Sequence, residues 1–338
     1  MRKEVPLILD NKNDKMFLIN QYRFSDPAFK ITVTVTAGGT FTLPLRAGYT
    51  YNFVANWGDG TADSTITAYN DADITHTYTN AGDYQISMVG VLESFYFNNG
   101  GDRLRLKKVD AWGSVGMTTL GFAFSGCANL LSIPNEPIPY VMTGNDLFRS
   151  LFRNCTNLAG SIPTDLFKNS PGATGSVFFE TFLGCAALTG SIPTDLFRYQ
   201  ASNTSFVRTF YGCTNLNGTI PLDLFRYNTL VISFLETFNA CINLDVISED
   251  LFYYNSAATG YSGTFIGCRN LVLPVRMFNL SNLSIVTSFA NFMDVTSTSH
   301  SPTGTVQDIW NYTTATSTNA FDQCTALTNY ASIPVAWT

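Results

Sequence analysis

The chain has 338 residues, with 19 Lys and Arg against 25 Asp and Glu for a formal charge of -6. It is long enough to bury a core without staples and offers no phosphate-neutralising surface, which excludes nucleic acid as a partner. Only 13% of residues are charged, about half the globular average, while 14% are aromatic, which excludes disorder as a general description.

In chain order, Met1–Asp26 carries Arg2 and Lys3 ahead of a short apolar run that Pro6 interrupts and Asp10, Asn11, Lys12, Asn13 and Asp14 close. No export leader is read there, and residues 1–27 are taken as a segment that docks to the rest of an assembly. Nowhere does an apolar run reach the roughly 18 residues of a membrane helix, so no membrane insertion is expected. Period-two alternation then predicts half-buried strands at Ile31–Val35, Thr40–Leu43 and Tyr49–Phe53. Among them stand Asn56-Trp57-Gly58-Asp59-Gly60-Thr61 and His76-Thr77-Tyr78-Thr79-Asn80-Ala81-Gly82-Asp83-Tyr84. Gly58-Asp59-Gly60 reads as a turn that needs positive φ, and Trp57 as a core plug. The two motifs, in this order, are similar to the paired signatures of PKD (polycystic-kidney-disease) domains. That resemblance implies an immunoglobulin-like β-sandwich over residues 28–94. Leu104–Val109 alternates again and is read as the strand that caps the N-terminal end of the C-terminal region.

Within that region the sequence repeats. The seven cysteines fall at 127, 155, 185, 213, 241, 268 and 324, giving gaps of 28, 30, 28, 28, 27 and 56. Each sits in Phe-x-x-Cys-x-x-Leu, from Phe124–Leu130 through Phe321–Leu327, and Phe289–Val295 is aligned as a further unit with Phe292 in the Cys slot, making about eight. An aromatic or aliphatic residue recurs seven before Cys (Leu120, Phe148, Phe178, Phe206, Phe234, Tyr261). Offsets of -7, -3, 0 and +3 predict an apolar stripe on a short helix. Ile162-Pro163, Ile192-Pro193 and Ile220-Pro221 then predict an extended segment, because proline disfavours helix in the residue before it. No unit can bury its stripe alone, so the units stack. These motifs look like the BspA-like leucine-rich repeats of bacterial surface proteins, which implies a β/α solenoid over residues 95–338. The fold class expected is therefore α+β, an Ig/PKD-like sandwich followed by that solenoid. Its C-terminal end, Ile333–Trp337, shows no clearly polar cap, so a partner or a homo-oligomer contact is expected there.

No catalytic set is apparent. His76 lies in a strand motif and His300 in a polar loop, without spaced partners for nucleophilic catalysis. Glu180 and Glu236 are the carboxylates a glycan-degrading enzyme would use. Zinc sites need ligands two to four residues apart, and cysteines at least 27 apart cannot supply them. The thiols are read as free, small core hydrophobes whose bridging would strain across helix layers about 8 to 10 Å apart. Asn129, Asn157, Asn215, Asn243 and Asn270, two after Cys, are read as an internal ladder. Asp165, Asp195, Asp223 and Asp250 are read as residues that cap or lead a short helical turn rather than as Ca²⁺ ligands. No metal or cofactor is expected. After each Leu-Phe pair, Arg198-Tyr199, Arg226-Tyr227 and Tyr253-Tyr254 fall in register behind Lys168-Asn169, so stacking displays an Arg/Tyr column at one edge, which either covers the edge of the Phe core with snorkelling side chains or offers a surface that suits sugars or peptides.

The function expected is non-enzymatic recognition of a cell-surface glycan or protein by that surface. The setting read first is a phage virion, as a tail or head fibre or receptor-binding component, with other virion proteins held through the N-terminal segment. The alternative is a secreted or cell-surface BspA-like adhesin.

Overall fold

The structure is a computed structural model that describes residues 27–295 and 301–338. Most of the expected docking segment and His300 therefore lie outside the described residues. Among the described residues the fold is β-rich, with several sheets and no closed barrel. No helix among the described residues is long and apolar enough to cross a membrane.

The first seven strands are β1 (Phe29–Val35), β2 (Thr40–Thr42), β3 (Tyr51–Asn56), β4 (Ser64–Ile66), β5 (Thr75–Thr77), β6 (Gly82–Leu92) and β7 (Leu106–Ala111). Five of them form one antiparallel sheet in the order β4-β3-β6-β1-β7, and β2 pairs with β5. Alternation sets the faces: Phe29, Ile31, Val33 and Val35 of β1 and Tyr51, Phe53 and Ala55 of β3 point inward. β7 is the joint of the molecule. It pairs with β1 on one side, while Lys108 bridges Ser132 of the first repeat in parallel on the other.

Beyond β7 the units stack, but the helix expected in each is absent among the described residues. Each apolar stripe runs instead through consecutive tight turns, in which Leu151 N–H bonds Phe148 O, Arg153 N–H bonds Ser150 O and Cys155 N–H bonds Phe152 O. The alternate amides leave the unit: Ser150, Phe152 and Asn154 donate to Phe179, Thr181 and Leu183 of the next. The cause is a left-handed residue five before and one before each cysteine. Ser150 and Asn154, Glu180 and Gly184, Arg208 and Gly212, and Glu236 and Ala240 have φ between 50° and 73°. A residue of that hand ends an α-helix and turns its N–H out of the coil. Apolar spacing of 4, 3 and 3 fits a run of such turns as well as it fits a helix.

Because the turns hydrogen-bond between units, they lie at strand spacing rather than helix spacing. Phe124, Phe152, Phe182, Phe210, Phe238 and Phe265 form a column with ring centroids 5.4 to 5.7 Å apart. Phe148, Phe178, Phe206, Phe234, Tyr261 and Phe289 form a second, and Phe167, Phe197, Phe225, Phe252 and Phe278 a third. Near-parallel, offset rings at this separation are a favoured aromatic geometry. The same spacing overturns the expectation of widely separated helix layers: distance does not keep the cysteines apart. The Ile-Pro side carries the parallel row β8 (Gly218–Ile220), β9 (Leu244–Ile247), β10 (Val272–Leu273) and β11 (Thr303–Gly304), and the segment that leads into the Phe148 and Phe178 turns carries a separate parallel pair, Thr143–Asn145 with Gly172–Thr174.

Two readings of register and ends change. Phe265 N–H bonds Phe292 O and Met293 N–H bonds Ala320 O, which places buried Met293, not Phe289, in the position of Phe265 and Phe321. Phe292 therefore does not occupy the Cys slot, and the residue after Val295 lies outside the described residues. At the far end the chain folds back on the stack: buried Trp337 packs on Phe321, Phe289 and Trp310, and its carbonyl accepts from Phe321 N–H. At the near end Phe95 and Trp112 pack on Phe124. The apolar core is continuous from the sheet into the stack.

Candidate functional site

Closely spaced parallel units leave carbonyls facing the neighbouring unit, and three columns of side-chain donors meet them. Thr181, Thr209, Thr237 and Thr264 donate to the carbonyls of Phe148, Phe178, Phe206 and Phe234 of the preceding unit. Cys155, Cys185, Cys213, Cys241 and Cys268 donate Sγ–H at 3.0 to 3.2 Å to the carbonyls of Phe124, Phe152, Phe182, Phe210 and Phe238. Burial, the largest influence, drives these thiols upward, Cys268 to about 12, so they stay protonated and able to donate. All seven cysteines are buried and unbridged. The cysteine is thus a hydrogen-bond donor as well as a small apolar plug.

The buried amide ladder is not the one read two after Cys. Asn129, Asn243 and Asn270 do donate to Leu104, Thr214 and Ile242 carbonyls, but from the surface or its margin. The interior ladder is Gln200, Asn228 and Asn255, fully or almost fully buried, each of whose amides donates to two carbonyls of the preceding unit. Its signal was an amide directly after Tyr199, Tyr227 and Tyr254.

Beside that ladder, on the outside, the structure brings the Arg/Tyr column together. The Arg198 guanidinium lies 5.1 Å from the Tyr227 ring centre in the next unit, Arg226 lies 5.0 Å from Tyr254, and Arg276 lies 5.9 Å from Tyr253. Tyr253 and Tyr254 meet edge to face at 5.2 Å. The aspartates beside the column pair with its cations and do not cap a helix: Asp165 with Lys168, Asp195 with Arg198, Asp223 with Arg226, and Asp250 with Arg276. Tyr199, Tyr227 and Tyr254 are 40%, 37% and 38% exposed, so part of each remains for contact. Guanidinium groups cover faces of Tyr227 and Tyr254, leaving ring edges and hydroxyls available to a ligand. Charge within the column is balanced pair by pair.

The remaining candidates have identifiable surroundings. His76 stacks on Trp57 at 4.8 Å, and its Nε2 lies 2.7 Å from Asp59 Oδ2. Tyr78 hydroxyl donates to the Trp57 carbonyl, so the two sequence motifs clasp each other. Burial pushes the Asp59 carboxyl up, but hydrogen bonds from the Thr61 hydroxyl, His76 and the Thr61 backbone outweigh it and bring the group down to about 2. Glu180 and Glu236 are both tied to Arg208, at 3.7 and 2.5 Å, and Glu180 also faces Arg153 at 3.4 Å. They form a brace across units. Among the described residues no group of three or more His, Cys, Asp or Glu is arranged to hold a metal ion.

No protein-family model, no curated protein and no solved structure matches the chain.

Proposed function

We propose that the chain is a non-enzymatic recognition protein in which a PKD-like, immunoglobulin-like sandwich mounts a BspA-like leucine-rich-repeat solenoid, and the outside of the solenoid contacts a cell-surface glycan or protein. The observation that carries this reading is the Arg/Tyr column, in which three partly exposed tyrosines recur at unit spacing along the stack. Repeated polar and aromatic groups at constant spacing suit a repetitive or extended partner. The clasp of Trp57, Asp59, His76 and Tyr78 supports the PKD-like reading, since those residues belong to the two motifs that carry the resemblance.

A virion fibre or receptor-binding component is the setting we propose. Seven unbridged thiols, six of them at consecutive levels, suit a chain that folds in a reducing cytoplasm before lysis releases it. A bacterial surface adhesin is the alternative, and it shares the same binding surface. The test is binding of labelled full-length protein to a glycan array and to whole bacterial cells. Replacing Tyr199, Tyr227 and Tyr254 together by Ala is expected to weaken binding about tenfold or more while leaving the melting temperature nearly unchanged. Undiminished binding by that variant would remove the column from the account.

A further inference from the structure

The regular column ends at Arg276. In the later units the Leu-Phe-Arg-Tyr pattern lapses: Leu280–Ile285 and Ile309–Asn311 form 3-10 turns, and the surface dips into a concavity of about 540 Å³. That volume lies in the range of small-molecule sites, roughly 300 to 1,000 Å³. Val275, Arg276, Leu280, Asp308, Tyr312 and Ser332 contribute to its lining.

The walls are fixed by amides already engaged with backbone. Gln307 Oε1 accepts from Met277 and Phe278 N–H at 2.9 Å, and its Nε2 donates to Phe278 O. Asn329 holds both the N–H and the carbonyl of Val306. Such a preset shape lowers the ordering cost of binding. What is left for a ligand is specific. Tyr312 is 49% exposed, and among the described residues neither its hydroxyl nor the exposed Asp308 carboxylate has a hydrogen-bond or ionic partner. Arg276, the cation on this wall, directs Nε and Nη2 to the two oxygens of Asp250 at 2.5 and 2.6 Å, with Glu249 at 4.0 Å.

We infer that this concavity is a binding site for a neutral pyranose, the terminal or end-bound unit of a glycan that runs along the Arg/Tyr column. The inference rests on the glycan form of the function proposed above. A pyranose has an apolar C–H face that packs on an aromatic ring, and neighbouring hydroxyls that donate to one carboxylate. Tyr312 and Asp308 offer that pair of groups on one wall system. A sialic acid, sulfate or phosphate would instead meet the Asp308 charge with the nearby guanidinium already committed to Asp250.

The experiment titrates full-length protein with the methyl glycosides of glucose, galactose and mannose, with glucosamine and with N-acetylneuraminic acid, followed by ligand-observed NMR and calorimetry. At least one neutral glycoside is expected to saturate in the millimolar range, and the acid is expected not to bind. Tyr312→Ala is expected to weaken the neutral sugar about tenfold, and Asp308→Asn by a smaller factor, at unchanged melting temperature, both side chains being exposed. The inference falls if no neutral glycoside saturates, if the amine or the acid binds better, or if binding survives both substitutions. The triple Tyr199, Tyr227, Tyr254 variant separates the two levels. Lost cell binding by that variant with no glycoside binding by the parent sinks this site and leaves the column standing. Glycoside binding with undiminished cell binding by the triple variant does the reverse.

Discussion

The antiparallel sheet and the stack of units solve the same problem with opposite economies. In the sheet each contact occurs once: Trp57 stacks on His76, His76 bonds Asp59, and Tyr78 reaches back to Trp57. In the stack each contact is repeated with the next unit's copy of the same residue, Phe on Phe, Thr and Cys donor on Phe carbonyl, Arg on Tyr. A unique contact can be lost only as a whole. A periodic one has neighbours of its own kind, so damage is felt through adjacent levels and the surface inherits the period of the core.

That contrast can be broken most forcefully in an aromatic column. Phe182→Ala or Phe210→Ala is expected to cost about 3 to 5 kcal/mol by cavity formation. Because the two rings stack at 5.5 Å, the double variant should depart from additivity by about 0.5 kcal/mol or more, measured by denaturant unfolding of both singles and the double. A smaller effect comes from the thiol column. Cys213→Ala removes one of two donors to the buried Phe182 carbonyl, which Cys185 N–H still reaches, and should cost about 0.5 to 1.5 kcal/mol for the lost bond, whereas Cys213→Ser keeps a donor and should recover part of the loss. If Ser is worse than Ala, the hydrogen bond is not what the sulfur contributes. In the sheet the expected effect depends on pH. Asp59 is held at about 2 in the folded chain, below its unfolded value of about 3.9. Its contribution is therefore complete above about pH 5 and is lost as pH falls from about 5 to 2. Urea melts across that window should show a decline that Asp59→Asn lacks.

Much of this could be read from the sequence because the underlying periods are simple. Ile31–Val35 and Tyr49–Phe53 alternate; β1 covers the first, and β3 overlaps the second from Tyr51 and runs on to Asn56, with the alternate side chains inside. The Phe and Cys spacing revealed the units because identical slots must recur where identical levels stack. Helix and turn were not separable by that spacing, since apolar offsets of 4 and 3 satisfy both. The separating signal was Gly126, Gly184, Gly212 and Gly267 one before Cys, all at positive φ, where glycine is the residue of least strain. The Arg/Tyr column was legible from its register. The buried Gln200, Asn228 and Asn255 ladder one residue further on was missed because polar residues after an exposed tyrosine ordinarily read as loop. The concavity was not legible at all: Val275, Asp308 and Ser332 are far apart in the chain, in the units where the pattern lapses.

The central physical claim is that the sulfurs point into a shared interior between levels and stay as thiols. Titration with a water-soluble thiol reagent, before and after denaturation and without reductant, measures it directly. The account predicts no fast-reacting thiol in the folded protein and seven in the denatured chain. Several sulfurs reacting while the protein remains folded, or fewer than seven appearing after unfolding, would contradict it.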